Sequence, residues 1–337
     1  MQTTLVNNRQ ARRRIHIRPN LTIMKGTIAD LKFVRYGDMV VPVIMGKERR
    51  RVINSIVPQG LNQYVNNLVT VSNTAQAFTS SSTPSPSGWG SSPSNAILLL
   101  NNGTTVQTLS TTVIPVLNGS TVIWVFIASD LSSASYTANQ VNLFVTVNFA
   151  FYIYGGGIFY SPPFNLATAT TSIVKQSGET ISFVWEIQVN LGSSALTDFI
   201  LGVLYSIPVI QTSCGGSTVQ LGTFGGIYKI NDGVPYYFYQ IELQYVGGST
   251  SANIASITTT YDGTNTYLIM TASITLSSQV TATGIVVNVI PAGGTINFFC
   301  INGQQVNSGS VIQIPYNATL SPGTINITVT IEFSPAT

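Results

Sequence analysis

Apolar and polar residues alternate without a break through residues 326–333, near the end of the chain. The apolar positions are Ile327, Val329, Ile331 and Phe333, and Asn326, Thr328, Thr330 and Glu332 lie between them. Residues 142–149 have apolar residues at the same period of two, at Leu143, Val145, Val147 and Phe149. A period of two places alternate side chains on opposite faces of a strand. The pattern predicts strands with one face in a core and the other toward solvent.

Charged residues are scarce, which also favours an all-β fold. Asp, Glu, Lys and Arg make up 7% of the 337 residues, against about 25% in a typical domain. Ser, Thr, Asn and Gln must solvate the surface, and the abundant Val, Ile, Thr, Tyr and Phe suit a pleated sheet. Short runs between turn signals predict strands over residues 39–45, 96–100, 104–109, 121–127, 141–154, 180–189, 197–206, 217–222, 225–230, 235–246, 254–260, 266–275, 283–290, 295–301, 310–314 and 324–333.

Four sequence blocks recur in the same order in the two halves of the chain. Each apolar run that enters an Asn-Gly turn, at residues 98–106 and 298–306, is followed by further similar pairs. These are 118–123 with 307–312, 131–132 with 320–321, and 142–149 with 326–333. The repeat favours two tandem β-sandwiches, over residues 56–160 and 161–337. Chance similarity between two stretches rich in Val and Thr is the alternative.

Positive charge is concentrated in residues 1–55, which we interpret as a basic N-terminal arm. This segment holds twelve of the 14 basic residues and three acids, Asp30, Asp38 and Glu48, a net charge of +9. Such a segment usually faces a polyanion, either nucleic acid or an anionic membrane, although a solvated tail is the alternative. The candidate contacts to a polyanion or to neighbouring subunits are Arg9, Arg12, Arg13, Arg14, Arg18, Arg49, Arg50 and Arg51.

The residue types that carry catalysis or bind metals are nearly absent. His16 is the single histidine and lies within the arginine cluster, so a His-based metal site or catalytic triad in the body of the chain is excluded. Cys214 and Cys300 could form one bridge but are more commonly two buried thiols. We therefore expect no enzyme activity, no metal and no cofactor. With only 11 carboxylates, we also expect tolerance of acid.

Targeting and modification signals give a second set of expectations. No run reaches the ~18 apolar residues of a membrane-spanning helix, and the basic N-terminus lacks the apolar core of a signal peptide. Residues 80–94 read as a loop rich in Ser, Pro and Gly. Possible glycosylation sites follow the pattern Asn-x-Ser/Thr at Asn20, Asn102, Asn118, Asn317 and Asn326.

Two sandwiches behind a basic arm, without catalytic residues, resemble the double jelly-roll capsid proteins of the adenovirus and membrane-containing phage lineage. The uncharged surface is similar in style to proteins of archaeal turreted icosahedral viruses. The resemblance implies a virion protein that assembles in the host cytoplasm as a homotrimer or larger assembly with other virion proteins. It also implies that the basic end faces nucleic acid or an internal membrane. The family's basic C-terminal membrane helix has no counterpart after residue 333, so the arm would take that role.

Three other functions fit the same sequence character. A minor vertex, turret or tail protein of a virion is one, and a cell-surface adhesin or filament subunit is another. A glycan-binding module is the third, because jelly rolls also serve lectins. Its candidate stacking residues are Trp89, Trp124, Trp185, Tyr236, Tyr237 and Tyr239. Trp124 and Trp185 lie in strand runs, so we expect both in the core.

Overall fold

The computed structural model is an all-β fold, as the sequence predicted, with one α-helix in its described part. It describes residues 7–36, 39–46, 48–74, 96–118, 121–145, 148–151, 157–160, 163–190, 212–214, 217–219, 237–291, 299–301, 304–306 and 309–336. The expected strands at 197–206 and 225–230 and the expected loop at 80–94 lie outside these residues.

The first half of the chain contributes thirteen of the strands and the helix. The strands are β1 (Asn7–Gly26), β2 (Leu31–Tyr36), β3 (Met39–Ile44), β4 (Glu48–Val52), β5 (Asn54–Ile56), β6 (Ala96–Asn102), β7 (Thr104–Asn118), β8 (Thr121–Asp130), β9 (Tyr136–Val145), β10 (Asn148–Phe151), β11 (Gly157–Tyr160), β12 (Phe164–Lys175) and β13 (Thr180–Asn190). Helix α1 is Pro58–Thr74, and a 3₁₀ turn covers Ile28–Asp30.

The second half adds strands only among its described residues. They are β14 (Thr212–Cys214), β15 (Ser217–Val219), β16 (Tyr237–Tyr245), β17 (Gly248–Asn253), β18 (Ser256–Tyr261), β19 (Thr266–Leu276), β20 (Val280–Pro291), β21 (Phe299–Ile301), β22 (Gln304–Val306), β23 (Gly309–Leu320) and β24 (Gly323–Pro335). Each strand expected in the described part of the chain has a counterpart, with ends that differ by up to nine residues.

The largest sheet runs through both halves of the chain in the order β18-β19-β24-β1-β13-β8-β7-β6-β9-β12-β5, with β4 also paired to β1. It is a mixed sheet because β1 and β24 are parallel. The sheet curls back on itself, since β4 and β5 follow one another in the chain while β4 pairs with β1 and β5 with β12. A separate four-stranded sheet has the order β17-β16-β20-β23.

Strand β1 lies inside the largest sheet, so residues 7–26 of the basic N-terminal segment pair with strands of the body of the chain. Asn7–Ile17 pairs with β24, and Ile17–Gly26 pairs with β13 on the opposite side. The apolar side chains of its inward face are buried: Ala11, Ile15, Ile17, Leu21 and Ile23. Alternating burial along the strand outweighs its charge, because the arginines can point outward from a pleated strand.

Strand pairing does not follow the sequence repeat. The hairpin β6–β7 turns at Asn102-Gly103, where Gly103 has the positive φ of 77° that such a turn needs, and β21 pairs antiparallel with β22 in the second copy. However, β9 lies between β6 and β12, whereas the similar strand β24 lies between β19 and β1. Strands β12 and β13 follow the expected boundary at residue 160 yet pair with β9 and β8. The division into two domains at that residue stays a prediction.

One large hydrophobic core extends through both halves of the chain. Trp124 and Trp185 are buried in it, as predicted, with 4% and 0% of their surface exposed. The Trp185 indole N–H donates to Asn54 Oδ1 at 3.2 Å. A second, smaller cluster lies under the hairpin β2–β3, where Val41 and Val43 pack against Met24.

Helix α1 packs between strands of the two halves, and the sequence analysis missed it. Pro58 occupies the first helical position, where its missing N–H costs nothing. Leu61, Tyr64 and Val65 are buried, and the helix contacts β12 as well as β18, β19 and β24. Gly60 faces the backbone of Asn165 so closely that a Cβ would lie 1.9 Å from its carbonyl oxygen.

The substitution Gly60→Ala is expected to destabilise the protein by roughly 1–3 kcal/mol, because the helix and β12 must separate to admit the methyl group. Helix propensity alone would give the opposite sign, about 1 kcal/mol of stabilisation. Urea unfolding followed by circular dichroism measures the difference. Gln59→Ala, at an exposed position of the same turn, is the control, and a more stable Gly60→Ala protein would contradict the packing.

Candidate anion-binding face on the first strand

The outward face of β1 carries a row of basic side chains. Arg12, Arg14, His16 and Arg18 are exposed, while Ala11, Ile15 and Ile17 on the other face are buried. The row follows from the pleat, since residues two apart lie on the same face about 6.6 Å from one another. A strand is a straight scaffold, so these side chains form a line and not a cluster.

Strand β4 extends this row. Arg51 lies opposite Thr22 and Arg49 opposite Met24, and residues directly opposite in an antiparallel pair share a face. From Arg12 to Met24 the row covers about 40 Å at ~3.3 Å per residue. We call Arg12, Arg14, His16, Arg18, Arg49 and Arg51 the cationic row.

Three of the eight arginines chosen from the sequence lie on the opposite face. Arg9 and Arg13 alternate with the exposed residues of β1 and are partly buried. Arg13 Nη1 donates to the carbonyl oxygen of Gln313 at 3.3 Å. Arg50, opposite Ile23, donates through Nη2 to the carbonyl oxygen of Ser172. The structure thus separates the predicted set into five outward arginines and three that face inward.

Glu332 on β24 provides the counter-charge for the N-terminal part of the row. The sequence pattern placed it toward solvent, but it is only 1% exposed. Its Oε2 lies 2.5 Å from Arg12 Nη2, and its Oε1 lies 2.7 Å from Arg14 Nε. Burial alone would raise the pKa of Glu332, but hydrogen bonds from Arg14, Ser334 and Arg12 outweigh it and hold the pKa below its ordinary value.

The cationic row borders a depression of about 360 Å³ at the end of β24. Its polar lining comes from three stretches of chain: Arg14, His16, Arg18, Asn265, Glu332 and Ser334. Arg12 lies beside it with its guanidinium 5.4 Å from the centre of the Tyr267 ring. The lining therefore combines three basic side chains with one carboxylate, that of Glu332.

A second ion pair, between Lys175 and Asp130, is buried away from the cationic row and has a structural role. Lys175 and Asp130 are 1% and 2% exposed, and Lys175 Nζ lies 3.8 Å from Asp130 Oδ1. The same ammonium group donates to the carbonyl oxygens of Ser132 at 2.6 Å and Ala134 at 2.7 Å. Burial opposes ionisation of Asp130, but hydrogen bonds from Ser132 and Gln107 keep its pKa below the ordinary value. The pair fixes the connection between β8 and β9.

The remaining sequence-based candidates are metal ligands, membrane spans, glycosylation sites, cysteines and sugar-stacking aromatic residues. Among the described residues no group of three His, Cys, Asp or Glu side chains could hold a metal ion, and no described helix is long and apolar enough to span a membrane. Of the possible glycosylation sites, Asn102 and Asn317 are exposed, Asn20 donates to Glu186 and Asn326 accepts from Ser273. The structure does not describe Trp89 and Tyr236, nor the side chains of Asn118, Cys214, Cys300, Tyr237 and Tyr239.

Comparison of the chain with models of protein families, with curated proteins and with solved structures gave no significant match. The face is therefore interpreted from its own chemistry. Sequence reasoning found its arginines but missed Glu332, Asn265 and Ser334. The one available signal was the polar side of the alternating segment 326–333, which includes Glu332.

Replacement of Lys175 by methionine should cost about 3–5 kcal/mol of stability, because it leaves the Asp130 carboxylate buried without a cation. Lys25→Met is the matched control. Lys25 pairs with Glu179 at 2.9 Å in a partly exposed position, so its loss should cost about 0–1 kcal/mol. Denaturant unfolding measures both changes, and equal small effects would show that the buried pair is not stabilising.

The lowered pKa of Glu332 predicts how the stability of the protein changes in acid. A carboxylate with a lowered folded pKa stabilises the protein above its ordinary pKa, about 4.3, and that contribution is lost as the pH falls through the folded value. The melting temperature should therefore hold from neutral pH to about pH 4 and then fall, which is an exception to the acid tolerance expected from the scarcity of carboxylates. Glu332→Gln should melt lower at neutral pH and change less in acid. Glu48→Gln, at an exposed position, is the control, and parallel profiles for Glu332→Gln and the unmodified protein would contradict the assignment.

Proposed function

We propose that the protein is a virion structural protein, a capsid subunit that assembles with copies of itself into the viral shell in the host cytoplasm. The observation that carries the proposal is a shared strand: β1 pairs with both parts of the largest sheet and joins them by backbone hydrogen bonds. A subunit whose two parts are joined in this way suits a rigid building block of a shell. Its sparse charge and lack of a catalytic constellation among the described residues fit a structural role.

Eight strands of residues 7–190 pair in a way that supports a jelly-roll-like sandwich. Strand β1 pairs with β13, β5 with β12, β6 with β9 and β7 with β8. Each pair lies inside the preceding one along the chain, which makes a folded antiparallel ribbon. Strand β7 pairs with β6 through its first part and with β8 through its second, so the ribbon bends from one layer to the next. Such winding into two layers is typical of jelly rolls.

A second sandwich would be formed by the remaining strands. The path β18-β19-β24-β1 lies against the sheet β17-β16-β20-β23. Ile241, Leu243, Ile285 and Val287 of the smaller sheet share a core with Met270, Ile327 and Val329 of the larger one. The two sandwiches would lie side by side with β1 common to both, as in a double-sandwich shell subunit.

An apolar surface suits contacts between subunits. On the hairpin β2–β3, Phe33 lies opposite Pro42 and Arg35 opposite Val40, while Val34 and Val41 face the core. Phe33 is 72% exposed and Val40 58%. Adjacent exposed apolar side chains favour an interface with another chain.

The cationic row would face the shell interior, where nucleic acid or an anionic membrane provides phosphates. The alternatives from the sequence are a minor virion vertex, turret or tail protein, a cell-surface adhesin or filament subunit, and a glycan-binding module. Burial of Trp124 and Trp185 removes two of the aromatic side chains that a glycan site would use. The surface pairing of Phe33 with Pro42 favours an assembling protein.

Light scattering and negative-stain imaging of the full-length protein test the proposal over a range of concentrations. We expect trimers or larger closed assemblies, and a smaller mass for Phe33→Ser because it removes exposed apolar surface. Lys32→Ser, at an exposed position of the same strand, is the control. A deletion of residues 1–55 is unsuitable because it removes β1 from the centre of the sheet. A monomer at every concentration would contradict a shell role.

A further inference from the structure

The depression beside the cationic row has the size and charge of a site for a small anion. At about 360 Å³ it has room for a phosphate group together with several waters, each of which occupies ≈ 30 Å³ in the liquid. Arg14, His16 and Arg18 follow one another along the exposed face of β1. Their Cα atoms cover about 13 Å, so the two guanidinium groups can reach one ligand placed over His16.

The arginines of the depression differ in how much of their bonding capacity is already used. Arg14 is held through Nε, which lies 2.7 Å from Glu332, and this bond fixes the side chain while its two terminal amino groups remain for another acceptor. Arg18 is exposed and forms no ion pair or hydrogen bond with a described residue. Glu332, and Glu186 opposite Asn20 on the same face, contribute two negative charges against Arg12, Arg14 and Arg18, so the surroundings retain an excess of positive charge.

We propose that a phosphate group binds in this depression, between the terminal amino groups of Arg14 and the guanidinium of Arg18. Guanidinium groups bind phosphate oxygens through two parallel hydrogen bonds, and a pre-fixed arginine loses less side-chain entropy on binding. Asn265 and Ser334 provide additional polar groups at the rim. Glu332 acts as a positioning residue, because it holds Arg14 without contacting the phosphate.

This inference extends the part of the proposed function in which the cationic row contacts a polyanion. It rests on the proposed function only in taking phosphate as the class of ligand. Shell assembly is not required, since the depression is formed within one chain. The phosphate could be free or could belong to a lipid headgroup, because both present the same oxygens to Arg14 and Arg18. A site is distinguished from diffuse attraction by its dependence on Arg14 and Arg18 and not on Arg49 or Arg51, which belong to the row but lie outside the depression.

Calorimetric titration of the full-length protein with inorganic phosphate at constant ionic strength tests the site. We expect saturable binding that Arg18→Gln weakens by about 10-fold or more, since a hydrogen bond to a charged group contributes about 1.5–3 kcal/mol. Arg49→Gln is the matched control, because Arg49 belongs to the same row but lies outside the depression. Thermal melting of both variants checks that they fold alike.

Binding to lipid vesicles distinguishes a site for free phosphate from a site for a lipid headgroup. The site takes a lipid headgroup if the protein binds vesicles that contain phosphatidic acid but does not bind free phosphate. In that case Arg18→Gln should weaken vesicle binding and Arg49→Gln should not. Phosphatidylcholine vesicles serve as the blank. Two results would overturn the proposal: equal weakening by Arg18→Gln and Arg49→Gln with either probe, which indicates diffuse attraction along the row, or no saturable binding of either probe. The outcome is independent of whether the chain assembles into shells.

Discussion

The pairing of β1 is the constraint on which the rest of the structure depends. Its first part hydrogen-bonds to β24 and its second to β13 and β4, so Ile17 marks the point where the two parts of the largest sheet meet. Backbone groups inside a sheet must be paired, and β1 supplies the partners for strands from both ends of the chain. Helix α1 reinforces the same junction, because it contacts β12 on one side and β18, β19 and β24 on the other.

Arginines two residues apart on one strand, such as Arg12 and Arg14, bring like charges together. At ~6.6 Å, two such charges repel by about 2.5 kcal/mol if the effective dielectric constant is 20, and by about 0.6 kcal/mol in bulk water. Glu332 offsets this repulsion where it is placed opposite Arg14 in the parallel pair. Its two ion pairs compensate Arg12 and Arg14, whereas Arg18 lies beyond its reach. The row therefore divides into a compensated part, which stabilises the β1–β24 pair, and an uncompensated part open to an external anion.

Local patterns in the sequence predicted most of the strands and missed the elements whose signal is mixed. The alternation at residues 326–333 gave β24 its correct inward face, with Ile327, Val329 and Ile331 buried. In β1 the same period is present at Ala11, Ile15 and Ile17 but is interrupted by Arg13 and obscured by the arginines between them, so charge composition suggested an arm. Helix α1 begins with Pro and carries several Asn residues, which read as turn signals. Its tertiary contacts, and not its propensity, decide its conformation.

Local sequence patterns predicted only part of the candidate site. The sequence identified the arginines as a group, and the pleat then decides which of them can act together: Arg12, Arg14 and Arg18 on one face, Arg9 and Arg13 on the other. Glu332 is more than 300 residues away along the chain from Arg12, and only the parallel register of β1 with β24 brings them together. No local pattern encodes that register. The chemistry of the face is therefore set by a long-range strand pair, and a change that shifts this register by one residue would exchange the exposed arginines for the buried apolar residues.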